Sequence, residues 1–81
     1  MAKAVITAPF SAEFFGGRED HLVDAPTIFA LIRGLDLAAP GFAQAAEERA
    51  AIAVNGVAVA DWTTRLESGD EVLFVQRIAG G

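Results

Sequence analysis

The last residues of the chain are those whose types and positions could carry chemistry. The sequence finishes Ile78-Ala79-Gly80-Gly81 after a long apolar segment. A terminal glycine offers a primary, unhindered carboxylate, which can be activated by adenylation and then attacked by a sulfur donor to give a thiocarboxylate. Glycine lacks a Cβ, so an enzyme can enclose this backbone closely. We therefore predict that Gly81 is the reactive position and that Gly80, Ala79 and Ile78 thread into a partner's active site.

An inert end is the alternative interpretation, because many chains finish in small residues. Two observations favour the reactive interpretation. The Gly80-Gly81 pair lies just beyond an apolar strand-like segment, and four extended residues span about 13 Å, enough to enter a narrow site. The remainder of the sequence also offers no other site.

Other side chains with chemical potential are few. The chain has no cysteine and one histidine, His21, so it lacks the ligands that a zinc site needs. We expect no metal site, no catalytic side chain, and a surface position in a strand for His21. The acidic pairs, which are Glu19-Asp20, Glu47-Glu48 and Asp70-Glu71, are typical of a solvated surface.

Composition limits the class of protein. With 81 residues, the chain has room for one domain and one small core. Its net charge of −5 would repel a phosphate backbone, which argues against nucleic acid and favours a basic protein partner. No apolar run reaches the roughly 20 residues of a membrane span, and no export signal follows Met1, so we expect a cytoplasmic protein without a membrane partner.

The first half of the sequence predicts two strands and a helix. Residues 3–8 favour a strand that Pro9 ends, and Ser11 is placed to cap one helical turn before the glycines at 16–17. A second strand is expected over residues 19–24. Pro26 suits the first turn of a helix that ends near Pro40-Gly41, with a shorter helix over residues 42–49. Its apolar stripe consists of Ile28, Leu31, Ile32 and Leu35.

The second half predicts a hairpin and a final strand. Asn55-Gly56 lies between apolar residues 50–54 and 57–60, and this dipeptide supplies the positive φ angles of a two-residue turn. Residues 68–70 form a second turn before a strand over residues 71–78. The order of elements predicts an α+β fold in which one sheet is covered on one face by the helix, with the first and last strands parallel. We expect a single domain over residues 1–77 and a tail over residues 78–81.

The final strand alternates between two apolar faces. We assign Val72 and Phe74 to the core, which leaves Leu73 and Val75 on the other face. Together with Arg77, they would form an exposed apolar spot where an activating enzyme docks. Packing of Leu73 and Val75 under a neighbouring loop is the alternative.

Three segments resemble a known family: Val54-Asn55-Gly56, residues 66–72 (Leu-Glu-Ser-Gly-Asp-Glu-Val) and residues 78–81. They are similar to the C-terminal half of the bacterial sulfur carriers related to ubiquitin, such as the small subunit of molybdopterin synthase and the thiamine-biosynthesis carrier. The resemblance covers about residues 50–81. It implies a ubiquitin-like β-grasp fold, with a mixed sheet of four to five strands packed on one main helix.

The resemblance does not fix one pathway. The chain length and the extra segment 11–17 resemble the molybdopterin synthase small subunit. Gln76 and Arg77, in contrast, stand where molybdopterin carriers commonly have two prolines, and resemble the thiamine carriers more closely.

The resemblance also implies a set of partners. An activating enzyme using ATP and Mg²⁺ would adenylate Gly81, a sulfur donor would convert it to a thiocarboxylate, and a partner such as the molybdopterin synthase large subunit would accept the sulfur. This chain would bind no cofactor, and the catalytic side chains would belong to its partners. A ubiquitin-like protein modifier and an interaction module with an inert tail are the alternatives.

Overall fold

A computed structural model of the chain describes residues 1–78. The elements follow in the order β1 (Ala2–Ile6), α1 (Phe10–Phe14), β2 (Asp20–Val23), α2 (Ile28–Ala38), α3 (Phe42–Arg49), β3 (Ala50–Val54), β4 (Val57–Val59) and β5 (Glu71–Gln76). The strands form one sheet in the order β2-β1-β5-β3-β4. The predicted α+β, β-grasp architecture is therefore confirmed, with five strands and α2 as the longest helix.

The last strand occupies the centre of the sheet. β5 pairs with β1 in parallel, as predicted, and with β3 in antiparallel orientation. Val72 and Phe74 on β5 are fully buried, which confirms their assignment to the core. β5 ends at Gln76, two residues before the predicted end of the strand.

α2 packs the predicted apolar stripe into the core. All four stripe residues are buried, and the helix ends before Pro40 as expected. The predicted start of the helix was wrong, because Pro26 precedes the cap. Thr27 is the N-cap residue, and its side-chain oxygen accepts a hydrogen bond of 3.1 Å from the backbone N–H of Ala30.

The segment between β1 and β2 differs from its prediction. Ser11 does not cap α1; it lies buried inside the helix, which starts at Phe10 directly after Pro9. β1 ends at Ile6, two residues earlier than predicted. Beyond it, the backbone N–H and the side-chain hydroxyl of Thr7 both donate to the Phe74 carbonyl. Thr7 thus continues the contact between β1 and β5 without extending the strand.

The remaining elements confirm the sequence predictions closely. Asn55 and Gly56 have positive φ angles of 50° and 82° in the turn between β3 and β4. The shorter helix α3 has the predicted bounds. Within residues 1–78, no helix combines the length and apolar character needed to cross a membrane.

Aromatic side chains join α1 and α3 to the sheet. Phe42, the first residue of α3, is fully buried, and its ring centroid lies 5.5 Å from that of Phe74 on β5. The rings of Phe14 and Phe15 also contact the Phe42 ring edge-on, with centroid distances of 5.7 and 5.4 Å. This cluster holds α1 and α3 at the same end of the sheet, where β5 finishes.

Candidate functional site

The C-terminal segment leaves the sheet beside the start of β3. The last residue pair of the β3–β5 ladder is Ala50 with Gln76. One residue later, the backbone N–H of Arg77 donates a 2.8 Å hydrogen bond to the carbonyl of Arg49, the last residue of α3. The chain is thus held by main-chain bonds through Arg77.

Ile78 is the first residue that extends away from the domain. Its side chain is 90% exposed. Ala79, Gly80 and Gly81 lie outside the described residues, so their roles in threading and activation stay predictions. The structure places the start of the tail in solvent, at the end of the central strand.

The Arg77 side chain, which we predicted to contact a partner, makes hydrogen bonds within its own chain. Its guanidinium donates to the backbone carbonyl of Glu47 at 3.0 Å and to that of Glu48. Both carbonyls belong to the last turn of α3. The two bonds direct the cationic group of Arg77 toward α3.

Leu73 and Val75 lie on the sheet face opposite the core. Each is partly buried in the free chain, and the prediction that an activating enzyme docks on them stays a prediction. The register explains the partial burial, because Leu73 lies beside Val5 on β1 and Ala53 on β3, while Val75 lies beside Ala51. Directly paired residues share one face of a sheet, so these neighbours cover part of each side chain.

The open face is larger than two residues. Ala58 on β4 pairs with Ala53 and extends the apolar surface across the sheet. Sequence analysis did not assign Val5, Ala51 and Ala53 to this face. The available signal was that they are apolar residues at alternate positions of the first and third predicted strands. We call the five-residue set Val5, Ala51, Ala53, Leu73 and Val75 the apolar face.

Charged residues lie at the opposite end of this face from the tail. Lys3 pairs in register with Glu71, and its amine is 3.7 Å from a carboxylate oxygen of Asp20. Because β1 and β5 run in parallel, Lys3 and Glu71 precede Val5 and Leu73 along the same direction, whereas Asp20 lies beside Val5. The apolar part of the face therefore lies nearer to the start of the tail.

Arg49 connects the start of the tail to α1. Its guanidinium makes two hydrogen bonds to the Glu13 carboxylate, at 3.2 and 2.8 Å, and lies 5.0 Å from the centroid of the Phe10 ring. The hydrogen bonds from Arg49 lower the pKa of Glu13, and the same bonds raise the pKa of Arg49. Sequence analysis missed this pair. The only signal was a basic residue in the last turn of a predicted helix.

The Gly-Asp-Glu motif has a structural role at the far end of β5. The Asp70 carboxylate accepts hydrogen bonds from the Glu67 backbone N–H at 2.8 Å and from the Asn55 side-chain amide at 3.0 Å. These bonds lower the pKa of Asp70. The Asn55 side-chain oxygen in turn accepts from the Glu71 backbone N–H at 2.9 Å. The motif thus joins the β3–β4 turn to the start of β5.

An open groove of about 720 Å³ lies between α2, α3 and the β3–β4 hairpin, with Arg77 at its edge. Phe29 and Trp62 line it, and Trp62 packs half-buried against the core. β4 pairs only with residues 52–54 of β3. The groove therefore follows the first half of β3, where β4 provides no partner.

His21 is buried, which corrects the prediction of a surface residue. Its Nε2–H donates to the Arg18 carbonyl at 3.0 Å, and its Nδ1 accepts from the Arg18 guanidinium at 3.2 Å. Its ring also lies 4.4 Å from that of Phe15. Among residues 1–78, no group of three or more histidine, aspartate or glutamate side chains is arranged to hold a metal ion.

Several solved structures have the same fold as this chain. CysO from Mycobacterium tuberculosis, described as an antigen, matches with a TM-score of 0.85 and 18% identity, over 96% of this chain and 100% of CysO. A chain of the Amycolatopsis orientalis BexX/CysO complex matches with a TM-score of 0.84 and 18% identity, over 100% of both chains. A chain in the complex of subunits 1 and 2 of molybdopterin-converting factor from Helicobacter pylori 26695 matches with a TM-score of 0.70 and 20% identity, over 99% of this chain and 97% of the other.

At these identities, the structural similarity establishes the fold. Two of the three similar structures are complexes with another protein. No curated protein matches the sequence. The model of the ThiS family matches residues 10–81, which includes every element from α1 to β5 and the terminal glycine pair. The chain therefore belongs to the ThiS family and has the β-grasp fold of ubiquitin-like sulfur carriers.

Proposed function

We propose that the chain is a sulfur carrier whose working group is the C-terminal carboxylate of Gly81. A carboxylate oxygen would attack the α-phosphorus of ATP, so that pyrophosphate leaves and an acyl adenylate forms. A donor of sulfide would then attack the acyl carbon and AMP would leave, which produces a thiocarboxylate. The thiocarboxylate sulfur would bond to an acceptor held by a second partner, and water would cleave the acyl–sulfur bond, which returns the Gly81 carboxylate.

The observation that carries the proposal is the position of the tail. The tail follows the central strand of the sheet, and Ile78 is 90% exposed immediately beyond the last main-chain bond. An extended segment of four residues reaches about 13 Å from that point. A tail extended from Ile78 would carry Gly81 away from the surface of the domain, as an enzyme with a narrow active site requires.

The apolar face supports a docking role for the activating enzyme. Leu73 and Val75, with their neighbours on β1 and β3, lie on the open side of the sheet and toward its tail end. A partner that covers this face would bury apolar area and receive the tail in the same complex. ATP and Mg²⁺ would be bound by that enzyme in the cytoplasm, and no cofactor by this chain.

The finer proposal is that the chain is the small subunit of molybdopterin synthase. α1, inserted between β1 and β2, is the extra segment that resembles those subunits. The similarity to a molybdopterin-converting factor chain within a two-subunit complex is consistent with a large-subunit partner. Gln76 and Arg77 favour the alternative, a carrier for thiamine or for another sulfur-transfer pathway.

Intact mass spectrometry tests the carrier function. The protein, purified from cells that supply its natural partners, should gain the mass difference between sulfur and oxygen, and fragmentation should localise the gain to Gly81. Oxidation adds nearly the same mass, so localisation decides. A variant without Gly81 is the matched control and should not gain sulfur. A carboxylate that stays unmodified with ATP, an activating enzyme and a sulfur source would contradict the proposal.

The remaining alternatives predict different products. A molybdopterin synthase subunit should bind a large subunit and transfer sulfur to a pyranopterin precursor, whereas a thiamine carrier should support thiazole formation. A protein modifier should yield higher-mass conjugates that disappear when Gly81 is deleted. An interaction module with an inert tail should keep its function without Gly80-Gly81.

A further inference from the structure

Arg77 donates hydrogen bonds to the free backbone carbonyls at the C-terminal end of α3. The final carbonyls of a helix lack N–H partners within that helix. In α3, the carbonyl of Ala46 accepts from the backbone N–H of Ala50, which leaves the carbonyls of Glu47, Glu48 and Arg49. Arg77 bonds all three: its guanidinium donates to the first two, and its backbone N–H donates to the third.

The charge of Arg77 suits this position. The C-terminal end of a helix carries partial negative charge, so a guanidinium there is stabilised electrostatically. Arg77 is exposed to solvent, yet its donors are directed at backbone atoms of its own domain. Side chains of glutamate at positions 47 and 48 take no part in these bonds, since only the main-chain oxygens accept.

The contact determines where the tail begins. Ile78, the next residue, is 90% exposed, so among residues 1–78 Arg77 is the last that is bonded to the domain. Gly81 lies four residues beyond it. Without the three bonds, the last fixed residue would be Gln76 or Val75, and Gly81 would lie five or six residues away.

We propose that Arg77 is a positioning residue that fixes the origin and direction of the reactive tail by capping α3. The proposal assigns the guanidinium to an internal contact, in place of the direct partner contact that the sequence predicted. Only the expected effect on adenylation rests on the proposed function; the capping contact itself does not. The volume accessible to a tethered end grows with the cube of tether length, so releasing Arg77 should dilute the Gly81 carboxylate at a docked enzyme about two- to threefold.

The first test uses the free protein. Arg77→Ala should lower the ¹⁵N heteronuclear NOE of the Ile78 amide and accelerate hydrogen exchange at the residue 77 amide, while the β5 amides stay protected. Arg77→Lys should give an intermediate result, because an ammonium group is a compact charge without the planar fork of donors. Arg33→Ala, which removes an exposed arginine from α2, is the matched control and should leave Ile78 unchanged.

The second test measures adenylation of the carrier by its activating enzyme. Arg77→Ala should raise KM about two- to threefold with little change in kcat, because the contact orients the tail before the reaction and takes no part in it. Arg77→Lys should recover part of the loss, and Arg33→Ala should match the wild type.

The two tests together decide the inference. Unchanged Ile78 dynamics in Arg77→Ala would overturn it, and a rise in KM with unchanged dynamics would assign Arg77 to a direct partner contact instead. If the wild-type protein is not adenylated, the proposed function fails, while the measurement on the free protein still decides whether Arg77 fixes the tail.

Discussion

Replacing Leu73 with Asp should slow adenylation of Gly81 while the domain stays folded. Full burial of a leucine side chain is worth about 1.5–3 kcal/mol, and Leu73 is mostly buried in the free chain, so a partner can gain at most about 1 kcal/mol by covering the rest. An aspartate at the same contact adds a desolvation cost of at least about 1 kcal/mol. The combined loss of about 1–2 kcal/mol corresponds to a fall of about 5- to 30-fold in kcat/KM.

The fold should tolerate this change. Leu73 points away from the core residues Val72 and Phe74, so its replacement costs the folded state about 1–3 kcal/mol of apolar contact with Val5 and Ala53. A domain of this size has a free energy of unfolding of about 4–12 kcal/mol. The variant should therefore remain folded at room temperature.

Pyrophosphate release by the activating enzyme, measured over a range of carrier concentrations, gives kcat/KM for each variant. Leu37→Asp is the matched control, because it introduces the same charge at a leucine of α2 that is 79% exposed. It should behave as the wild type. Urea unfolding verifies that both variants are folded. A folded Leu73→Asp protein with wild-type kcat/KM would refute the role of the apolar face in docking.

Two further predictions concern stability. Gly34→Ala should raise the free energy of unfolding by about 1 kcal/mol in urea titrations, because Gly34 lies inside α2 and an added Cβ would make ordinary contact with Val23 at 3.5 Å; a loss of stability would contradict this reasoning. The pKa of Glu13 is lower in the folded protein than the usual value of 4.5, so its contribution to stability is present above that pH and is lost as the pH falls through the folded pKa. The free energy of unfolding should therefore fall less in acid for Glu13→Gln than for the wild type or for the exposed control Glu19→Gln. Identical pH profiles of the free energy of unfolding would refute the contribution of the Glu13–Arg49 pair.

The sequence predicted those elements whose structure is determined by residues adjacent in the chain. Asn55-Gly56 defines a turn through its own backbone preferences, and the stripe from Ile28 to Leu35 needs only helical periodicity. The core positions Val72 and Phe74 follow from alternation in one strand. The residues that begin the helices were less predictable, because Ser11 lies inside α1 without capping it, and α2 begins after Thr27, one residue beyond the Pro26 that the sequence placed in its first turn.

The candidate site depended more on distant contacts. Glu13 and Arg49 lie 36 residues apart in sequence, and no local pattern links them. The burial of His21 depends on nearby residues, because the Phe15 ring packs against its ring and Arg18 bonds both of its nitrogens, but the strand pattern of residues 19–24 carries no sign of either contact. The chemistry assigned to Gly81 could be predicted without the fold, since it follows from the type of residue at the end of the sequence and from the family resemblance.

The central position of β5 has a consequence for biosynthesis. During translation, the nascent chain exposes β1 and β3 before their shared neighbour exists, so the sheet and its core cannot close until synthesis has passed Phe74. A product that stops before β5 would lack two central strand pairings and the buried side chains of Val72 and Phe74. Termination before β5 would thus yield an unfolded chain that is open to proteolysis. Such a chain would not compete with the full-length carrier for binding to its partners.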